Sequence, residues 1–360
     1  MQLTNTNRTW FAKEVIYFAK NFGRFHLPWK NPATPYRVWV SEVMLQQTQV
    51  QSVLGYFDRF MDRFATIESL AQSPCDAVLS LWSGLGYYRR AHHLHQAAQI
   101  ITQELNGRFP NDLETLVKLP GIGRSTAGAI LAQGFNLPAP ILDANVKRLL
   151  MRFFCIEGDK AQTSILNQLW ELSTQLTPKR EVAIYTQGIM DLGAMTCTKS
   201  QPKCDECPLQ LKCLSFRYNK QHSIPEKAPK TIKPKRFCLF LVHLNAQREV
   251  YMLKRPNHGI WSGLWCFPIL PFTESVNKLN KLLKCSKYKL GNEAKHTFTH
   301  FDLVYKPVMI QNQNLVKCKN KHYRWLKLEQ LADFGIPSAV KKILQGQDFE
   351  QFKNDLLSQA

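Results

Sequence analysis

The sequence predicts a two-domain protein: an all-α unit over residues 1–216 and an α+β unit over residues 237–360. Three observations carry that prediction. Apolar residues recur at helical spacing through the first 216 positions. From Phe237 the pattern changes to short apolar runs parted by turn residues, which marks strands. Between them, residues 217–236 (RYNKQHSIPEKAPKTIKPKR) hold three prolines and seven basic residues against one acidic residue. Such a stretch reads as an extended, self-repelling linker. At 360 residues, each unit is long enough to bury its own core.

The totals narrow the partner. A formal net charge of +20 and a pI near 9.6 point to a polyanion. The excess is +5 over residues 1–216, +6 over the linker and +9 over residues 237–360. No run of ~18 apolar residues is present, so a spanning helix is not expected, and no membrane partner is read. The N-terminus, MQLTNTNRTW, lacks the charged-then-apolar order of a secretion signal, which predicts a cytoplasmic protein, taken as a monomer. Ten cysteines in such a chain argue for metal or cluster ligation over a disulfide framework.

Taken in order, residues 10–22 read as an amphipathic helix with Val15, Phe18, Ala19 and Phe22 on one face. The loop over residues 27–35 has three prolines and carries Trp29, more readily a core anchor than a base-stacking residue. Residues 36–53 read as a single helix. Within it Glu42 lies beside the apolar face, and a half-buried carboxyl gains the raised pKa of a proton donor. Gln46 and Gln47 follow in an apolar setting, where long amides need partners such as base edges. Helices over residues 56–64 and 75–82 precede Trp82-Ser83-Gly84-Leu85-Gly86-Tyr87-Tyr88-Arg89-Arg90. Aromatic tips beside cations on glycine joints suit a wedge in a base stack. His92, His93 and His95 have no acidic partner nearby in sequence and read as surface residues.

Residues 119–145 (LPGIGRSTAGAILAQGFNLPAPILDAN) form the organising stretch. Pro120, Gly121 and Gly123 make a tight turn, and small apolar residues over 125–135 favour a buried helix. Asp143 ends an apolar run and precedes Asn145, Lys147 and Arg148. An ordinary helical hairpin with a solvated aspartate stands beside a phosphate-binding hairpin with a working carboxylate. Residues 164–190 are again helical in pattern. Then come Cys197, Cys204, Cys207 and Cys213, spaced C-x6-C-x2-C-x5-C. Four thiolates at this spacing hold zinc or an iron–sulfur cluster, and the single close pair favours the cluster.

The stretches SEVMLQQTQV, WSGLGYY, LPGIGRSTAGAI, ILDANVKR and the four-cysteine loop together resemble the MutY-type adenine DNA glycosylases of the endonuclease III superfamily. The resemblance implies a helix-hairpin-helix core, a [4Fe-4S] cluster on Cys197, Cys204, Cys207 and Cys213, and a C-terminal Nudix-like domain. It implies excision of adenine mispaired with 8-oxoguanine or guanine in double-stranded DNA. Glu42 matches the acid that protonates adenine, Asp143 the carboxylate that stabilises the sugar cation, and Asn145 the residue that helps hold the site. Trp29, Leu45 and Gln187 match the adenine pocket. Gln46, Gln47, Tyr87, Gly121, Gly123 and Ser125 match DNA-binding positions. Ser125 stands where lyase relatives carry lysine, which implies a monofunctional enzyme. Two departures stand out: Phe25 replaces an arginine found in several members, and residues 273–284 (TESVNKLNKLLK) lack the glutamates of a working Nudix hydrolase.

After residue 237, FCLFLVHL and VYMLKRP read as strands joined by a turn at 245–249, and residues 274–283 as a helix. Phe298, Thr299 and His300 resemble the loop that reads 8-oxoguanine in the family, with threonine in place of serine. A chain ending near Lys220 is accordingly expected to keep slow excision opposite guanine and lose its preference for the lesion. Two competing readings are an oxidised-pyrimidine glycosylase/lyase, which Ser125 disfavours, and a non-catalytic damage-binding or redox-sensing protein.

Overall fold

The computed structural model describes residues 4–226, 232–271, 288–311 and 322–357. Chain contacts divide it into two units, Met1–Gln72 with His93–Lys230, and Ser73–His92 with Thr231–Ala360. The continuous first domain read from the sequence therefore differs from the observed division. The stretch 73–92 folds with the C-terminal unit.

The helices in chain order are α1 (Asn5–Phe22), α2 (Pro35–Leu45), α3 (Val50–Arg63), α4 (Ile67–Gln72), α5 (Cys75–Leu81) and α6 (Arg89–Glu104). There follow α7 (Leu113–Lys118), α8 (Arg124–Ala129), α9 (Ala144–Phe154), α10 (Thr163–Leu176), α11 (Val182–Asp191) and α12 (Leu214–Arg217). The expected single helix over 36–53 is two helices. Gln47 takes a left-handed φ of 58° between α2 and α3, which an α-helix cannot continue through. The pattern over 164–190 likewise divides into α10 and α11. Pro178 removes a backbone donor there, and Glu181 is left-handed at φ 52°. The run predicted as one helix from Ser125 ends in a π-helical turn, Ile130–Gly134.

Burial of one apolar face per helix holds the first unit together. Phe11, Val15 and Phe18 of α1 join Val146 and Leu150 of α9, Leu169 of α10 and Ile189 of α11 in one core. Gly188 lets α11 lie close to α1, since a Cβ there would come within 2.7 Å of Ala19 Cβ and Val15 O. The chain expected to be linker is partly built into this unit. Ile224 is 2% exposed within the same core, and its carbonyl accepts a 2.7 Å bond from Arg152 Nε.

The second unit is an eight-stranded sheet of β1 (Lys235–Leu244), β2 (Glu249–Lys254), β3 (Trp265–Cys266), β4 (Ile269–Pro271), β5 (Tyr288–Leu290), β6 (Ala294–Thr297), β7 (Asp302–Gln311) and β8 (Tyr323–Lys327). The order is β3-β2-β1-β7-β5, with β4 on β1, β6 on β7 and β8 on β2. β1 and β7 pair in parallel from Lys235↔Asp302 to Leu244↔Gln311, and the other pairs are antiparallel. Leu239, Leu270, Val308 and Ile310 form a small core, and helices α13 (Ser338–Leu344) and α14 (Gln347–Leu357) close the chain. The helix expected over 274–283, and the glutamate-poor stretch 273–284, lie outside the described residues. Segment 73–92 is tied to this unit by several bonds. Ser83 Oγ donates to Ile336 O at 2.6 Å, Lys254 Nζ pairs with Asp76 at 2.9 Å, and Leu79 lies against Gly335.

Candidate active site

Glu42 lies in the last turn of α2, half-buried, and the buried Val43 and Met44 follow it. Burial is the main force on its proton and pushes the carboxyl up to about 7. The charge of Asp143 adds to the rise, and only Lys30 opposes it. Asp143 is the N-cap of α9. Its Oδ1 accepts from Val146 N–H at 2.7 Å and its Oδ2 from Asn145 Nδ2 at 3.2 Å. Burial raises its pKa as well, while these donors pull in the opposite sense because they favour the ionised form. Two carboxyls that sense one another thus have different surroundings, one donor-poor and one donor-rich.

The hairpin between α7 and α8 sits close by in sequence and in bonding. Gly121 has a φ of +78°, open to glycine, and a Cβ there would meet His93 Cβ at 2.8 Å. Gln46 Nε2 reaches Gly121 O at 3.4 Å, tying the end of α2 to this turn. Ser125 Oγ accepts a 3.0 Å bond from Leu142 N–H, so it braces the loop that delivers Asp143. Lys30 lies in the short turn Pro28–Lys30, and its ammonium donates to Gln133 Oε1 on the π-helical turn. Burial lowers Lys30 to about 8, against the opposing pull of Glu42 and Asp191. Trp29 is 2% exposed and packs edge-on against Phe57 at 5.3 Å. Gln187, on α11, is buried at 3%.

Asn145 also extends towards the cysteines. Arg148 donates to Asn145 Oδ1 at 3.0 Å, to Gly193 O at 2.6 Å and to Cys197 O at 2.9 Å. Cys197, Cys204, Cys207 and Cys213 line a recess of about 330 Å³, open solvent included, together with Arg152. Arg152 donates to Cys197 Sγ at 3.4 Å and to the carbonyls of Thr198 and Lys199, so a fixed cation faces the thiols. Burial and mutual repulsion raise the thiols of Cys204, Cys207 and Cys213, that of Cys207 up to about 12. Among the described residues no group of three His, Cys, Asp or Glu side chains is set to hold a lone metal ion. Four thiols around one recess, with a guanidinium beside them, fit the donor set of an iron–sulfur cluster.

In the second unit, Tyr87 stands at φ 48° and is 44% exposed, with Gly86 at φ +78° before it. Its hydroxyl lies 3.1 Å from Thr299 Oγ1. Phe298 stacks on Phe301 at 4.6 Å and lies 5.3 Å from Trp261, while Thr299 and His300 are exposed. Arg90, one of the cations read beside the aromatic wedge, is 8% exposed and lies over the Trp82 and Tyr87 rings. It braces the loop from beneath. The histidines also differ from their expected surface role. His95 is 7% exposed, and His92 bonds Ser262 O at 3.0 Å.

Comparison with known proteins bears on this arrangement. Residues 40–175 match the HhH-GPD superfamily of base excision DNA repair proteins, and residues 239–346 match the NUDIX domain. The adenine DNA glycosylase of Buchnera aphidicola subsp. Baizongia pistaciae is 40% identical, across 93% of this chain and 95% of that protein. The chain belongs to the adenine DNA glycosylase family. The human adenine DNA glycosylase is 31% identical across 89% of this chain and 70% of its own. A solved thermostable thymine-DNA glycosylase, 26% identical, superposes with a TM-score of 0.55 over 60% of this chain and 100% of that one. The fold expected for an adenine DNA glycosylase, a helix-hairpin-helix core followed by a Nudix-like sheet, is the fold observed.

Of the residues named from the sequence, Glu42, Asp143, Asn145, Ser125, Gln46 and Gly121 gather in the first unit. Tyr87 and Thr299 meet in the second. Leu45 ends α2 partly covered, Gln47 is exposed at the break after it, and Gly123 is exposed as the N-cap of α8. Sequence reasoning missed Lys30 and Gln133. Lys30 stands next to Trp29 in the proline loop, and that position was the only available signal. Gln133 offered none beyond being an amide in an apolar helix.

Proposed function

We propose that the protein hydrolyses the N-glycosidic bond of adenine placed opposite 8-oxoguanine or guanine in duplex DNA, without coupled strand cleavage. The observation that carries this reading is the unequal carboxyl pair, Glu42 and Asp143. Glu42 keeps its proton near neutral pH and passes it to the leaving base as the C1′–N bond breaks. The bonding electrons leave with adenine. Asp143, fed by Val146 N–H and Asn145, faces the positive charge that develops on the sugar; a water oxygen then bonds C1′ and its proton returns to the Glu42 carboxylate. The base must first leave the stack, and an exposed tyrosine on glycine joints offsets part of that cost. Ser125 supplies no amine at the hairpin, which supports hydrolysis without a Schiff base.

Preference for the lesion is assigned to the second unit. Tyr87 and Thr299, 212 residues apart, share one hydrogen bond, and this supports a single surface for the base opposite adenine. Cys197, Cys204, Cys207 and Cys213 would hold the [4Fe-4S] cluster, which when bound fixes the shape of the 197–213 loop.

The test is single-turnover excision from duplexes carrying A opposite 8-oxoguanine, A opposite G, and thymine glycol, each with and without alkali. Adenine release with strand breaks only after alkali is expected. Release of thymine glycol, or efficient borohydride trapping, would overturn the reading. Purified protein should be brown and carry about four irons per chain. A colourless, fully active zinc protein would refute the cluster.

A further inference from the structure

We propose that Gln133, oriented by Lys30, is a specificity-determining residue that reads the N1 position of the flipped adenine. The inference rests on the adenine-excision reading above. An ammonium can only donate, so the Lys30–Gln133 bond fixes the amide oxygen towards Lys30 and turns the amide nitrogen away. Gln133 is 7% exposed, and that Nε2 has no partner among the described residues. Gln187 is 3% exposed, and its Oε1 has none either. One buried donor and one buried acceptor therefore stand unmet, a cost that a ligand with matching groups removes.

Both stand on elements joined through one turn to the helix that carries Glu42. The π-helical turn bearing Gln133 packs on α2, which carries Glu42, and on α11, which carries Gln187. The charge of Lys30 interacts with Glu42 and with Asp191, and Asp191 lies one helical turn beyond Gln187 on the same face. Adenine presents an amino donor at N6 beside an acceptor at N1. Its N7, on the other edge, is left for the proton of Glu42. Gln187 Oε1 takes the N6 hydrogen and Gln133 Nε2 donates to N1. Hypoxanthine carries the reverse pair, an oxygen at C6 and a hydrogen on N1, and would set like against like. A site built to hydrogen-bond its substrate rejects such an analogue strongly.

The experiment compares single-turnover excision of adenine and of 1-deazaadenine, which lacks the N1 acceptor, opposite guanine in otherwise identical duplexes. The full-length wild type, Gln133→Leu and Lys30→Met are measured. The adenine-to-1-deazaadenine rate ratio is expected to fall about tenfold or more from wild type to Gln133→Leu, which cancels any difference in bond lability between the two bases. In Lys30→Met, with the amide free to turn, the ratio should fall partway and hypoxanthine excision should rise relative to adenine. If Gln133→Leu does not fold by circular dichroism, Lys30→Met decides the matter alone. Ratios unchanged within twofold overturn the assignment, even where a variant is slower or less stable. Wild-type protein that releases no adenine overturns the excision reading, and this assignment falls with it.

Discussion

Glu42 holds a proton in the folded protein that the unfolded chain would release. Its carboxyl moves from 4.5 to about 7 on folding, so between these values the native state binds more protons than the unfolded state. Stability therefore falls as pH rises through that window, by ~3 kcal/mol at most from this residue. Under the role proposed for Glu42, activity needs the same proton and should decline as pH rises above about 7. Glu42→Gln removes both effects. The variant should lose excision while still binding duplex, and should melt up to about 5 °C higher than wild type at pH 8. At pH 4.5 the melting gain should vanish. An active variant, or one that melts lower than wild type at pH 8, contradicts the role given to this residue. The local signs of this chemistry were readable: Glu42 beside an apolar face, Asp143 after an apolar run, a proline–glycine turn between. Lys30 and Gln133 are 103 residues apart, and no spacing rule joins them.

At the scale of elements, the observed boundaries change what a truncation should do. A chain ending at Lys220 loses Ile224, a core residue of the first unit, and so tests more than the absence of the sheet. Burying one such side chain is worth about 1.5–3 kcal/mol. A chain ending at Glu226 should accordingly melt about 4–10 °C above one ending at Lys220. Equal midpoints would show that Ile224 does not hold the first unit. In both fragments α5 loses partners, because Leu79 lies against Gly335 and Asp76 pairs with Lys254 in the complete chain. Such a break in a domain leaves no mark on the sequence. The 75–82 pattern is amphipathic whichever core it faces, and Lys254, Ile336 and Ser262 pair with Asp76, Ser83 and His92 from far along the chain. The turn at Gln47 was equally hidden, since nothing in glutamine requires a positive φ.

For the whole molecule, a net charge of +20 sets the strength of its hold on undamaged DNA. Contact with about six to ten phosphates would weaken duplex binding by roughly 10³-fold or more between 50 and 200 mM salt. Fluorescence anisotropy of a labelled undamaged duplex across that range measures the slope. A change below about tenfold would mean that the cationic surface serves some other end. Domain class, charge and cysteine loop were all legible because each is a property of composition or of a short motif. Which unit owns residues 73–92 was not, because it depends on chain crossings. The polypeptide passes from the first unit to the second, back again, and over once more near residue 230. That path governs the order of events during synthesis. Residues 73–92 leave the ribosome about 140 positions ahead of Thr231, where the rest of their unit begins. At roughly 5–20 residues per second the delay is about 7–28 s. For that time Leu79 lacks Gly335, Ser83 lacks Ile336 and Asp76 lacks Lys254, and the nascent chain presents a sticky segment that chaperones would be the first to meet.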